Sequence, residues 1–114
     1  MTISNFLENL KQTPTEITFA ETIAVIEENY NFTPTAFQNG DTHNEAGTNS
    51  GSCKLFSFAL LQKLSVDETL ACFGAYYFEE TLGDPNGTNH QNIRNFMKTG
   101  WDGIKFEGEA LTSK

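Results

Sequence analysis

Apolar residues recur along this chain at helical spacing, in blocks separated by polar, turn-forming punctuation. Ile3, Phe6, Leu7 and Leu10 stand at i, i+3, i+4 and i+7, which predicts a short amphipathic helix from about Ser4 to Gln12, closed by Thr13-Pro14-Thr15. Thr18-Phe19-Ala20-Glu21 has the form of a capping box, in which the threonine oxygen and the glutamate satisfy free N–H groups at a helix start. The helix it opens should run to about Asn29 and bury Phe19, Ile23 and Ile26. Tyr30, Phe32 and Phe37, grouped around Thr33-Pro34, read as an extended piece that the proline confines to a sheet edge.

From Cys53 to Leu64 the run CKLFSFALLQKL is apolar on almost every side, the pattern of a central, largely buried helix. Ser65-Val66-Asp67-Glu68 is a second capping box, and the helix it starts presents Leu70, Ala71, Phe73, Tyr76 and Tyr77 before the turn signal Gly83-Asp84-Pro85-Asn86-Gly87. Thr88-Asn89-His90-Gln91 reads as a third, opening a helix with Ile93, Phe96 and Met97 on one side and Gly100 at its end. Ile104 to Glu107 alternate as a strand would, and pair with the extended piece near Phe32 to Phe37. The expectation is a predominantly helical α+β fold, with about five helices and a short two-stranded β element, in a single domain over residues 1–114.

Ten phenylalanines, three tyrosines and Trp101 supply large units for a core, while a formal charge of −8 leaves the outside acidic. That balance argues against nucleic acid, because phosphate binding relies on clustered cations and Arg94 is the only arginine. An anionic membrane surface is disfavoured for the same reason. The apolar stretches are too short to span a bilayer, and the start lacks a basic segment followed by an apolar one, so no membrane insertion and no secretory signal are expected. Cys53 and Cys72 suit reduced thiols in a cytoplasm better than a disulfide scaffold.

Between the blocks lies a polar, glycine-rich stretch, Phe37 to Lys54, which reads as a long functional loop. Cys53 enters the following helix, where unpaired N–H groups and the dipole can lower a thiol pKa, and His43 or His90 could act as its base. The plainer reading is a small buried residue at a helix start. Asp41, His43 and Glu45 would share one side of an extended segment, a weak metal-ligand set that a solvated acidic loop explains as simply. Gly47 to Lys54 has one residue fewer between its glycines than a P-loop needs, so a capping loop with some capacity for anions fits better. Arg94 suits a bidentate pair with Glu45 or Asp41. Asn44, Glu45, Asn49, His90 and Arg94 form the expected ligand-binding set, and no cofactor is called for.

The strings FTPTAFQNGDTHNEAGTNSGSCKLFSFALL, LACFGAYYFEETLGDPNGTNHQNIRNFMKTGW and DGIKFEGEAL resemble the HopJ type III effector family over about Phe6 to Leu111. NEAGTNSGSCK and GTNHQNIRNFMKTGW are the most specific parts. The resemblance implies export through a type III apparatus into a host cell, or an intracellular role as a homologue, and names no catalytic activity. Whether the chain is an enzyme is left open. The expected role is a binding or interaction module for a protein partner or a small polar metabolite, with a cysteine-dependent hydrolase or transferase built on Cys53 and His43 or His90 as the alternative.

Overall fold

The structure, a computed structural model, describes residues 1–114. Helix α1 (Ile3–Gln12) is capped by Thr2, whose Oγ1 accepts the Asn5 N–H at 3.1 Å, and buries Phe6 and Leu10. A single 3-10 turn at Pro14–Glu16 leads to α2 (Phe19–Asn29). Thr18 Oγ1 accepts the Glu21 N–H at 3.1 Å, but the Glu21 carboxylate takes the Thr18 hydroxyl rather than its N–H, so the cap is one-sided. The face that α2 buries is rotated from the expected one: Thr22, Val25 and Ile26 are inside, and Phe19 and Ile23 sit half-buried at the rim. Thr22 belongs there because its hydroxyl donates to the Cys72 carbonyl at 2.9 Å, which removes the cost of a buried polar group.

Helix α3 (Ser50–Gln62) is the central element, with Leu55, Phe56, Phe58 and Ala59 fully enclosed. Phe56 is the hub of the aromatic core, its ring centroid 4.9 Å from Phe96, 5.5 Å from Phe73 and 6.1 Å from Phe37. Helix α4 (Val66–Ala71) opens on a complete capping box, Ser65 Oγ accepting from the Glu68 N–H at 3.1 Å and Glu68 Oε1 from the Ser65 N–H at 3.0 Å. The single helix expected after Ser65 is broken at Gly74, where φ is +61°. A Cβ there would lie 2.9 Å from both the Ile17 carbonyl and the Phe19 nitrogen, so close packing on the start of α2 requires glycine. The chain resumes as a π-helix at Tyr76–Thr81.

Helix α5 (Gln91–Thr99) ends at Gly100, with φ of 58°, as its sequence suggests. A 3-10 turn at Gly100–Gly103 then seats Trp101, whose indole N–H donates to the Leu64 carbonyl at 2.9 Å. The β part is two antiparallel sheets. In one, β1 (Tyr30–Phe32) pairs with β5 (Leu111–Ser113), Tyr30 opposite Ser113. In the other, β2 (Phe37–Asn39) lies between β3 (Thr42–Asn44) and β4 (Ile104–Phe106). The strand expected at Ile104 thus pairs with the end of the extended piece, Phe37 opposite Phe106. The result is an α+β fold, mainly helical, and no helix is long and apolar enough to cross a membrane.

Cys72 lies in this core with no exposed surface, and burial pushes its thiol up to about 12 from an ordinary 9.0. The native state therefore keeps a proton that the unfolded chain releases above pH 9, so the contribution is fully present below that pH and is lost as pH rises toward 12. Urea unfolding of wild type and Cys72→Ala should show the wild type losing about 1 kcal/mol more than the variant between pH 9 and 10. Parallel pH profiles would contradict this assignment.

Candidate functional site

The stretch expected as a loop is a β-hairpin, a turn over residues 45–49 and the first turn of α3. Its strand alternation is hidden because two of the inward positions are asparagines: Phe37, Asn39 and Asn44 are buried, whereas Gln38 and His43 face outward. Amides belong in a core only if their hydrogen bonds are met, and Asn92 on α5 meets most of them. Asn92 Nδ2 donates to Asn44 Oδ1 at 3.0 Å, and Asn44 Nδ2 returns a bond to Asn92 Oδ1 at 3.1 Å. Asn39 Nδ2 donates to the Asn92 carbonyl at 2.8 Å and to Asn92 Oδ1 at 3.0 Å, leaving its own Oδ1 without a protein donor. One turn further along α5, Asn95 Nδ2 donates to the Asn39 carbonyl at 3.2 Å and to Thr42 Oγ1 at 2.7 Å. Asn49 Nδ2, before α3, donates to Asn44 Oδ1 at 2.7 Å.

This network sets the beginnings of α3 and α5 beside one cleft of about 490 Å³. Both N-cap residues are left-handed, Asn49 at φ 50°, ψ 45° and His90 at φ 53°, ψ 48°, and neither side chain caps its helix. The N–H groups of Ser50, Gly51 and Ser52, and of Gln91, Asn92 and Ile93, consequently donate to no acceptor in the protein. The expected Thr88 capping box does not form: the Gln91 side chain donates to the Thr88 carbonyl at 2.5 Å instead. Thr42, Asn49, Ser52 and Asn92 give the cleft a polar wall, and Phe19, Phe73 and Tyr76 an aromatic one. Phe19 and Tyr76 meet edge-to-face at 5.3 Å, and the Tyr76 ring stands 5.3 Å from that of His90. His90 Nε2 lies 2.9 Å from Glu80 Oε1, tying the π-helix to the start of α5.

Of the expected ligand-binding set, Asn49 and His90 line the cleft, and Asn44 lies buried behind it as the link between Asn49 and Asn92. Glu45 is exposed elsewhere, its carbonyl taking the Thr48 hydroxyl at 2.6 Å. Arg94 does not reach Glu45 or Asp41. Its Nε donates to the Asn89 carbonyl at 2.6 Å, Nη1 to the Asp84 carbonyl at 2.8 Å and Nη2 to Asn89 Oδ1 at 2.8 Å, so it closes the turn between the π-helix and α5. Asp41 sits in the hairpin turn and His43 faces Glu107 at 3.9 Å, and no three metal-capable side chains gather anywhere. Asn39, Phe19 and Phe73 do not figure in the expected set, whereas Tyr76, an aromatic with a polar tip, does suit a binding surface by its residue type. Asn92 and Asn95, three apart on one helix face, were the available signal.

Cys53 lies in the second turn of α3, its N–H already donated to the Asn49 carbonyl at 3.0 Å. Its Sγ points to the Thr35 carbonyl at 3.4 Å, and no hydrogen bond joins it to His43 or His90. Burial raises its pKa, only partly opposed by the Thr35 hydrogen bond, the Ser57 hydroxyl and the Lys54 charge.

What fold and site define together is a small α+β protein with an aromatic and amide-lined cleft between two helix starts. A family model described as HopJ type III effector protein matches residues 3–111, and the chain belongs to that family. The crystal structure of the unknown function protein VPA0580 superposes with a TM-score of 0.98, at 55% identity over 100% of this chain and 95% of that one. No curated protein matches the chain.

In a Cys72→Ala background, alkylation of Cys53 by iodoacetamide should stay well below the denatured rate at every pH from 7 to 9, and rise only with unfolding. A rate that plateaus well below the free-thiol pKa of about 8.5 would contradict the burial account and restore a nucleophile.

Proposed function

We propose that this HopJ protein works by binding, with the cleft between α3 and α5 as its recognition site for a small polar metabolite. The observation that carries the reading is the cleft itself. It combines a volume of about 490 Å³ with an aromatic wall and a facing wall of unspent donors, which is the general make-up of a ligand site. Charge narrows the ligand class. No lysine or arginine lines the cleft, and the chain carries −8, so a strongly anionic ligand would meet no compensating cation. An uncharged or singly charged molecule suits it better, rich in hydrogen-bond acceptors and with one flat apolar face, as a sugar ring has. The family description extends this reading to a virulence effector that carries its binding site through a type III apparatus.

The test is an amide NMR titration with a panel of neutral monosaccharides and small monocarboxylates. At least one should produce saturable shifts at Ser50 to Ser52 and Gln91 to Ile93, and Ser52→Phe, which fills the cleft, should abolish them. A panel without such shifts, or shifts that survive Ser52→Phe, would count against the cleft.

A further inference from the structure

A second concavity, of about 430 Å³, lies on the far side of α5 from the hairpin, between that helix and the turn after the π-helix. Its apolar contribution comes from Leu82 and Met97, which are 46% and 42% exposed, two of only six large hydrophobic side chains left in water. Its charge comes from Arg94 and Lys98, one helical turn apart on α5. No aspartate or glutamate lines the groove. Neither cation forms a direct ion pair: Arg94 spends its hydrogen bonds on two carbonyls and an amide oxygen, with the Asp84 carboxylate beside its guanidinium above Gly87, and Lys98 has no partner. In a chain with fifteen carboxylates and seven cations, this pairing of positive charge with exposed apolar surface is local, and Lys98 is its cation without an ion-pair partner.

Such a surface has the composition of an interface anchor, since arginine and methionine are enriched at interface cores, and methionine adapts to the shape it meets. We infer that this groove docks an acidic segment of a partner protein, one apolar side chain of which packs on Leu82 and Met97 while flanking carboxylates meet Arg94 and Lys98. Charge complementarity selects that occupant. Two cations can neutralise a few carboxylates, whereas a nucleic acid backbone or an anionic bilayer would bring dense negative charge against the rest of an acidic surface. Arg94 is well prepared for the task, because its hydrogen bonds to Asp84 and Asn89 hold the guanidinium in place before any partner arrives.

The experiment is selection of a random displayed peptide library on the full chain, with Lys98→Glu as the counter-selection. Lys98 and Met97 are exposed, so their variants should keep the wild-type circular dichroism. Recovered peptides should pair acidic residues with one Leu, Ile or Phe. Their binding should weaken at least tenfold in Lys98→Glu, weaken in Met97→Ser, and fall with rising salt. Tyr76→Ala, which alters the cleft, should leave it unchanged. The inference is overturned if no peptide survives counter-selection, if the survivors are neutral or basic, or if Lys98 is required instead for binding single-stranded DNA or phosphatidylserine vesicles.

Discussion

The amide pair between Asn44 and Asn92 is the contact on which the rest of the arrangement depends. It spans 48 residues of sequence, is reciprocal at 3.0 and 3.1 Å, and joins the only β-hairpin to the last helix. Asn44 also takes the Asn49 amide, and Asn92 takes that of Asn39, so a single pair organises the hairpin, the start of α3 and the start of α5. A buried amide deprived of its partner costs about 1–3 kcal/mol, whereas a satisfied one contributes about 1. The cluster is therefore more sensitive to loss of one member than its net contribution suggests.

From that constraint follows the cleft. The two helix starts are held where capping side chains do not reach: Asn49 turns its amide inward to Asn44, and His90 turns its ring toward Glu80. Both residues adopt a left-handed backbone, which costs a non-glycine residue about 1–2 kcal/mol. The cleft thus keeps unspent donors, and strain is stored at its two edges. Gly74 completes the geometry by breaking the helix after α4, so that Tyr76 stands against Phe19 instead of continuing a regular helical face.

Local signals were legible wherever one short stretch determined the outcome. The spacing of Phe6 and Leu10, the Ser65 to Glu68 box and the Gly100 terminator all appear as read, because each depends on residues within one or two turns. The hairpin was not legible. Its buried positions hold Asn39 and Asn44, and amides qualify as core residues only once Asn92, far along the chain, is placed against them. For the same reason Cys53 was read one turn too close to the helix start: α3 begins at Ser50, and the first turn belongs to the supposed loop. Of the residues expected to bind a ligand, Asn49 and His90 line the candidate cleft, while Glu45 and Arg94 lie outside it. Its aromatic side comes from Tyr76, whose polar tip marks it as a surface candidate, and from Phe19 and Phe73, which at helical spacing are indistinguishable from core.

A double-mutant cycle on Asn44→Ala and Asn92→Ala, followed by urea unfolding, tests the central claim most directly. If the amide pair organises the structure, each single variant should lose about 2–3 kcal/mol, and the double variant should lose at least about 1 kcal/mol less than their sum. Losses that add to within about 0.5 kcal/mol would show the two amides acting independently, and would remove the link from which the cleft is argued.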